Sequence, residues 1–212
     1  MLFIVTGILM AVVSAFGFMY LKDIKETDKN INTRGKWFAF SLLVYTAVDV
    51  VTAVILSRHD CGIISAISTL ILLNAMFLLA VIDFRHKMIP NKYISGLVII
   101  RAVLIVCEGI VKNDFIEILI GSLIGMLIGF MILGITALVS GKNLGGGDVK
   151  MYAVIGFFTG GSAVLDVLIY SSVICALTGL LLVVMKKCSM KSLVPMAPFA
   201  FVGTVLYVLL GA

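Results

Sequence analysis

Apolar runs of about 20 residues, the length that spans a bilayer as a helix, recur along this chain from one end to the other. They cover residues 2–20, 37–56, 63–82, 93–111, 115–139, 163–185 and 194–210, with a shorter run at 148–158. At 62% hydrophobic and 13% charged residues, the chain would expose a very large apolar surface if it folded in water. The runs do not alternate apolar with polar residues, as the strands of a membrane β-barrel must. The expected fold is an all-α, polytopic transmembrane helical bundle of about eight spans, within a range of about six to eight. No stretch between the runs could hold a large soluble domain, so residues 1–212 read as a single integral-membrane unit. Residues 2–20 lack the basic start and small-residue cleavage site of a signal peptide, and read as a retained span.

The charges between the runs are asymmetric. If the short run at 148–158 crosses the membrane, the basic segments at 22–36, 85–92, 142–150 and 186–191 all share one side, and the other holds only Arg58 and Lys112. If that run turns back instead, Lys186, Lys187 and Lys191 move to the poor side. Basic loops tend to stay in the cytoplasm, so the crossing arrangement is preferred, with both termini outside. The net charge of +5 is then an orientation signal, and no nucleic-acid partner is implied. The cysteines, Cys61, Cys107, Cys175 and Cys188, are scattered without a C-x-x-C pair, so neither a zinc site nor a redox motif is indicated.

Two carboxylates mark the edges of apolar runs. Asp83 closes one run and leads into Phe84-Arg85-His86-Lys87-Met88-Ile89-Pro90-Asn91. Pro90 disfavours helix at Ile89, so the helix is expected to break there. Asp148 follows Gly145-Gly146-Gly147 and stands where a helix N-cap belongs. The chain crosses twice between the two aspartates, which returns it to the same face and permits them to meet there. An ionisable group at the edge of apolar sequence is costly unless solvated, paired or used. Two carboxylates sharing one proton are the machinery of aspartic proteolysis. Like charges a few ångströms apart resist double ionisation, so one pKa rises. The ionised member takes a proton from water while the protonated member donates to the scissile carbonyl. This chemistry calls for no metal and no cofactor. The glycines suit it, because a backbone without Cβ lets another backbone come close.

Gly145-Gly146-Gly147-Asp148 matches the G-x-G-D motif of intramembrane aspartic proteases. Its extension Val149-Lys150, and Asp83 followed by a basic stretch and Ile89-Pro90-Asn91, resemble the type IV prepilin peptidases and their archaeal preflagellin relatives. Presenilin and signal peptide peptidase share only G-x-G-D, and their first aspartate follows a tyrosine, whereas Ile82 precedes Asp83 here. The segment from Pro195-Met196-Ala197-Pro198-Phe199 to Gly203 is similar to that family's last helix. The resemblance covers roughly residue 70 to the C-terminus. It implies Asp83 and Asp148 as the catalytic pair, with Gly145, Gly147, Pro90, Asn91 and Lys150 positioning loops or substrate. It also implies a multi-pass protein of a bacterial or archaeal cytoplasmic membrane. The substrate would be a type IV prepilin, pseudopilin or preflagellin-like protein whose short basic leader is removed at the cytoplasmic face. Larger family members also N-methylate the new amino terminus and carry a cysteine-rich domain after the first span. Here residues 22–36 stand in that place as a short, cysteine-free cytoplasmic loop, so peptidase activity is expected and methyl transfer is not.

Plainer readings stand beside each of these. The glycine loop could bind phosphate, but no G-K-[ST] follows. Lys150, Arg85, Lys87 and Lys92 also read as topology anchors. Asp49 and Arg101 fall inside apolar runs and are expected to face the bundle interior or a hydrated cleft. Glu108 and Glu117 flank an outer turn and are expected to be solvated. Carboxylates in helical bundles also serve proton-coupled transporters, which stays open as the alternative function.

Overall fold

The computed structural model describes residues 62–140, 145–185 and 195–211, together with Thr52. The run at 2–20, the run at 37–56 apart from Thr52, the loop at 22–36, and Asp49 and Arg58 lie outside the described residues. Six helices follow in order: α1 (Ile63–His86), α2 (Asn91–Lys112), α3 (Phe115–Ser140), α4 (Gly146–Thr159), α5 (Gly161–Val184) and α6 (Ala197–Gly211). There is no strand among the described residues.

Each helix stops where the backbone chemistry requires it. Lys87, with φ 51, takes the left-handed conformation after α1, and its N–H donates to the Asp83 carbonyl at 2.8 Å. Pro90 is extended and caps α2, with its φ set by its own ring, and by disfavouring helix at Ile89 it keeps α1 from running on into α2. Asn113, with φ 57, ends α2, a position that asparagine tolerates. Phe115 then folds back onto Gly109, where a Cβ would lie 2.7 Å from its ring, so this glycine permits the tight α2–α3 hairpin. Gly160 joins α4 to α5 with φ 90 and ψ −179, a conformation essentially restricted to glycine.

Four of the helices, α1, α2, α3 and α5, are long and apolar enough to cross a membrane. Of the eight expected spans, six lie among the described residues, and the structure corrects those six to four. The reason is length. At 1.5 Å per residue, α4 with 14 residues and α6 with 15 are both about 21–23 Å long, against a hydrocarbon core of about 30 Å.

The short α4 is the centre of the bundle. It packs against all five other helices, and its residues are buried without a break from Met151 to Phe158. A helix that is apolar all round belongs inside a bundle rather than at its surface. Its most extensive contact is with α3, and there the backbones touch. A Cβ on Gly125 would strike the Gly156 carbonyl and the Gly160 backbone, and one on Gly129 would strike the Tyr152 carbonyl. Small residues four apart on α3 make this approach possible, with packing and not hydrophobicity as the driving force in lipid.

α5 runs back antiparallel to α4, since Gly161 follows the turn and the Tyr152 hydroxyl donates to Ser171 at 2.6 Å. α6 lies against α5 and α1, close enough to α5 that a Cβ on Gly203 would meet the Ser171 backbone at 2.9 Å. Against α1 it stacks Phe201 edge-on to Phe77, with ring centroids 5.6 Å apart. Leucines and isoleucines exposed along α2, α3 and α5 form the lipid-facing surface that such a bundle needs.

Arg101 is buried, as an arginine inside a span should be. Glu108, expected to be solvated, is buried as well, and is paired with Arg101 at 3.5 Å and with Lys112 at 2.8 Å. It lies one helical turn before the end of α2, where the bundle still covers it. Glu117 is exposed, as expected.

Candidate active site

Asp83 is not at the extreme end of its helix. α1 continues for one more turn, to His86, and Asp83 is 5% exposed. Its Oδ2 accepts the backbone N–H of Ala197 at 3.0 Å. Ala197 is the first residue of α6, whose N-terminal end carries partial positive charge and unsatisfied N–H groups. The segment from Pro195 to Pro198 thereby closes over one of the two aspartates.

Asp148 is the third residue of α4 and not its N-cap, which corrects the expectation from sequence. Helical geometry begins at Gly146, and Gly145, extended at φ −75 and ψ 140, takes the cap position. The Asp148 N–H donates to the Gly145 carbonyl at 3.0 Å, and the Asp148 carboxyl is in turn hydrogen-bonded by the Gly145 backbone. The carboxyl reaching back to the cap residue is one half of a capping box; the other half is missing, because a glycine at the cap has no side chain to return the bond. Asp148 lies in the first turn of the short helix, outside the four candidate spans. Burial pushes its carboxyl up from 3.8 to about 6, the negative charge of Asp83 pushes the same way, and the Gly145 hydrogen bond opposes both.

The two crossings expected between the aspartates are α2 and α3, and they return Asp148 to within electrostatic reach of Asp83. The flanking loops come together as well. A Cβ on Gly147 would lie 3.0 Å from Cβ of Ile89, so the glycine lets its loop seat against the Ile89–Asn91 turn. Lys150 Nζ donates to Asn91 Oδ1 at 3.0 Å, a second tie between the same two loops. Pro90, partly buried, fixes the start of α2 beside them. The structure therefore gathers Asp83, Asp148, Gly145, Gly147, Pro90, Asn91 and Lys150 at one end of the bundle.

Three features of this region escape sequence reasoning. The Ala197 N–H is a backbone group and leaves no trace in residue identity. Tyr152, one turn below Asp148, binds Ser171 on α5, and two residues of such ordinary type carry no signal. The glycine seam of α3 did leave one, in the four-residue spacing of Gly125 and Gly129. Chemically, the site offers one carboxylate bonded to a helix N-terminus and a second whose proton is held to about pH 6. Such a pair can take and give a proton in the same step. Among the described residues no group of three or more His, Cys, Asp or Glu side chains is placed to hold a metal ion.

Comparison with known proteins agrees with the resemblance in the motifs. The "Prepilin leader peptidase/N-methyltransferase" of Bacillus subtilis (strain 168) is 28% identical over 174 residues. The alignment covers 79% of this chain and 66% of that protein, so the chain spans a little under two thirds of its relative's length. No solved structure matches. Residues 70–180, more than half of the chain and including both aspartates, match the type IV leader peptidase family. With a match of that extent, carried by an all-helical bundle with several apolar spans, the chain belongs to the type IV leader peptidase family.

Proposed function

We propose that this chain is a membrane aspartic endopeptidase that removes the short basic leader of type IV prepilin-like proteins, with Asp83 and Asp148 as its catalytic pair. The observation that carries the reading is the convergence of these two carboxylates from α1 and α4, close enough that the charge of Asp83 helps hold the proton of Asp148. One member activates water and the other donates to the scissile carbonyl, and the protonation states exchange as the tetrahedral intermediate collapses. Because the two carboxyls titrate together, the apparent pKa values belong to the pair. Gly145 leaves room beside Asp148 for an extended substrate backbone, and Gly147 lets its loop seat against Ile89. Asn91 and Lys150 hold the two loops around it, and Pro90 keeps the turn rigid.

The leader is cut at the cytoplasmic end of the substrate's hydrophobic helix. Exposed Lys87, Lys92 and Lys150 gather at the aspartate end of the bundle, which supports a cytoplasmic position for that end. Prepilins, pseudopilins and preflagellins all present this kind of substrate. The product leaves unmethylated, a reading supported by the cysteine-free stretch at residues 22–36. The family match lends nothing to the proton-coupled transporter.

Co-expression with a prepilin tests these points together. Asp83→Asn and Asp148→Asn should each abolish cleavage while the protein still accumulates in the membrane. Near-normal processing by either variant would falsify the pair. Intact-mass analysis of the product made by the unaltered chain should show a free amino terminus. A methylated terminus that depends on this protein would refute the second point.

A further inference from the structure

We propose that Arg101 is a positioning residue for the aspartate pair, tying α1 to α4 away from the site and so setting the separation of Asp83 and Asp148. This rests on the peptidase reading for its functional consequence, but not for its geometry. Arg101 lies midway along α2 and is 6% exposed. Its guanidinium is shared among four helices. Nη1 donates to Ser68 Oγ on α1 at 2.8 Å, and Nη2 donates to Ser122 Oγ on α3 at 3.1 Å. Nε donates to the Phe157 carbonyl on α4 at 3.1 Å. Glu108, on its own helix, lies 3.5 Å from Nη1, and the Phe158 ring stacks 5.7 Å from the guanidinium carbon.

The Phe157 carbonyl belongs to the last turn of α4, where carbonyls lack partners within the helix and the dipole is negative. Arg101 therefore caps the end of α4 opposite Asp148. At 1.5 Å per residue, Phe157 is about 13 Å along α4 from Asp148, and Ser68 is about 22 Å along α1 from Asp83. One rigid planar fork thus holds both aspartate-bearing helices at a distance from the aspartates. A lysine, a single mobile point charge, cannot meet three separate acceptors in fixed directions. The site is sensitive to such a tie, because a misplacement of about 1 Å from a remote change costs about a hundredfold in rate.

Arg101→Met is a fair test, since Glu108 keeps Lys112 as its partner and the two serines can bond to carbonyls of their own helices. Folded, monodisperse protein in detergent should lose about 10- to 100-fold in kcat on a prepilin substrate, with KM little changed, and Arg101→Lys should recover part of the loss. Separation is read independently by replacing Asp83 and Asp148 with cysteine, in a chain whose four native cysteines are changed to serine, and measuring disulfide formation on mild oxidation. The disulfide yield should fall several-fold when Arg101→Met is added. An unchanged yield would overturn the proposal, and because that assay needs no substrate it does so whether or not the peptidase reading stands. Should Arg101→Met fail to accumulate, Ser68→Ala and Ser122→Ala remove single bonds. The first should lower the disulfide yield more than the second, and wild-type yields in both would equally overturn it.

Discussion

At the scale of single residues, the two aspartates occupy different surroundings although each stands at the edge of an apolar run. Asp83 is nearly sealed and receives an N–H from the start of α6, while Asp148 is partly open and keeps its proton to about pH 6. That raised value has a consequence for stability. Folding favours the protonated form of Asp148, so its contribution is complete below the ordinary value of 3.8 and is lost as pH rises through about 6. Asp148→Asn stays neutral throughout. Its melting temperature in detergent, relative to the unaltered protein, should therefore rise between about pH 4 and pH 7 and level off above. A difference that is flat or falls over that window would show that Asp148 is not held protonated by the fold. Asp148 and Asp83 were legible in the sequence because a carboxylate at the edge of an apolar run is expensive wherever it goes. Their environments were not, because the Ala197 N–H comes from a helix 114 positions away.

At the scale of helices, α4 explains why the run at 148–158 was hard to place. It is too short to cross by itself, and it has no need to face lipid because its neighbours cover it on every side. Its backbone contact with α3 makes a specific prediction. Gly125→Ala places a methyl group against the Gly156 carbonyl and the Gly160 backbone, neither of which can move aside without parting the helices. A loss of roughly 1–3 kcal/mol is expected, as for other overpacked interiors. It would be read as a lower melting temperature of the purified protein. Gly121→Ala lies one turn earlier on α3, meets nothing within 4 Å, and should stay within about 0.5 kcal/mol of the parent. Equal stability of the two variants would rule out the seam. Helix ends were read from sequence to within a few residues, because proline, glycine and asparagine act locally on the backbone. The capping residue of α4 was misplaced by three positions, since three consecutive glycines leave the start of the helix undetermined by side-chain chemistry.

For the whole molecule, the question is which end of the bundle faces the cytoplasm. The turn after α1 and the turn after α2 lie at opposite ends of α2, and both are exposed at Met88 and Asp114. With the aspartate end inside, a membrane-impermeant maleimide applied to intact cells should label Asp114→Cys and leave Met88→Cys untouched until the membrane is permeabilised. The opposite pattern would invert the orientation and keep a cytoplasmic leader from the aspartates. Labelling of both from outside would mean that α2 does not cross. The charge asymmetry behind this expectation is a property of the whole chain and could be counted without any structure.

By itself the sequence determined the class of fold and the ends of most helices, and singled out the two carboxylates as candidates. Each of these follows from local chemistry: the length of an apolar run, the conformational limits of one residue, the cost of one charge in lipid. Only the tertiary structure decided that the shortest helix lies at the centre, that Glu108 is buried beside Arg101, and that the first N–H of α6 is spent on Asp83. Those outcomes depend on which surfaces meet. A backbone amide, a carbonyl or the gap left by a missing Cβ takes its role from what the fold brings against it.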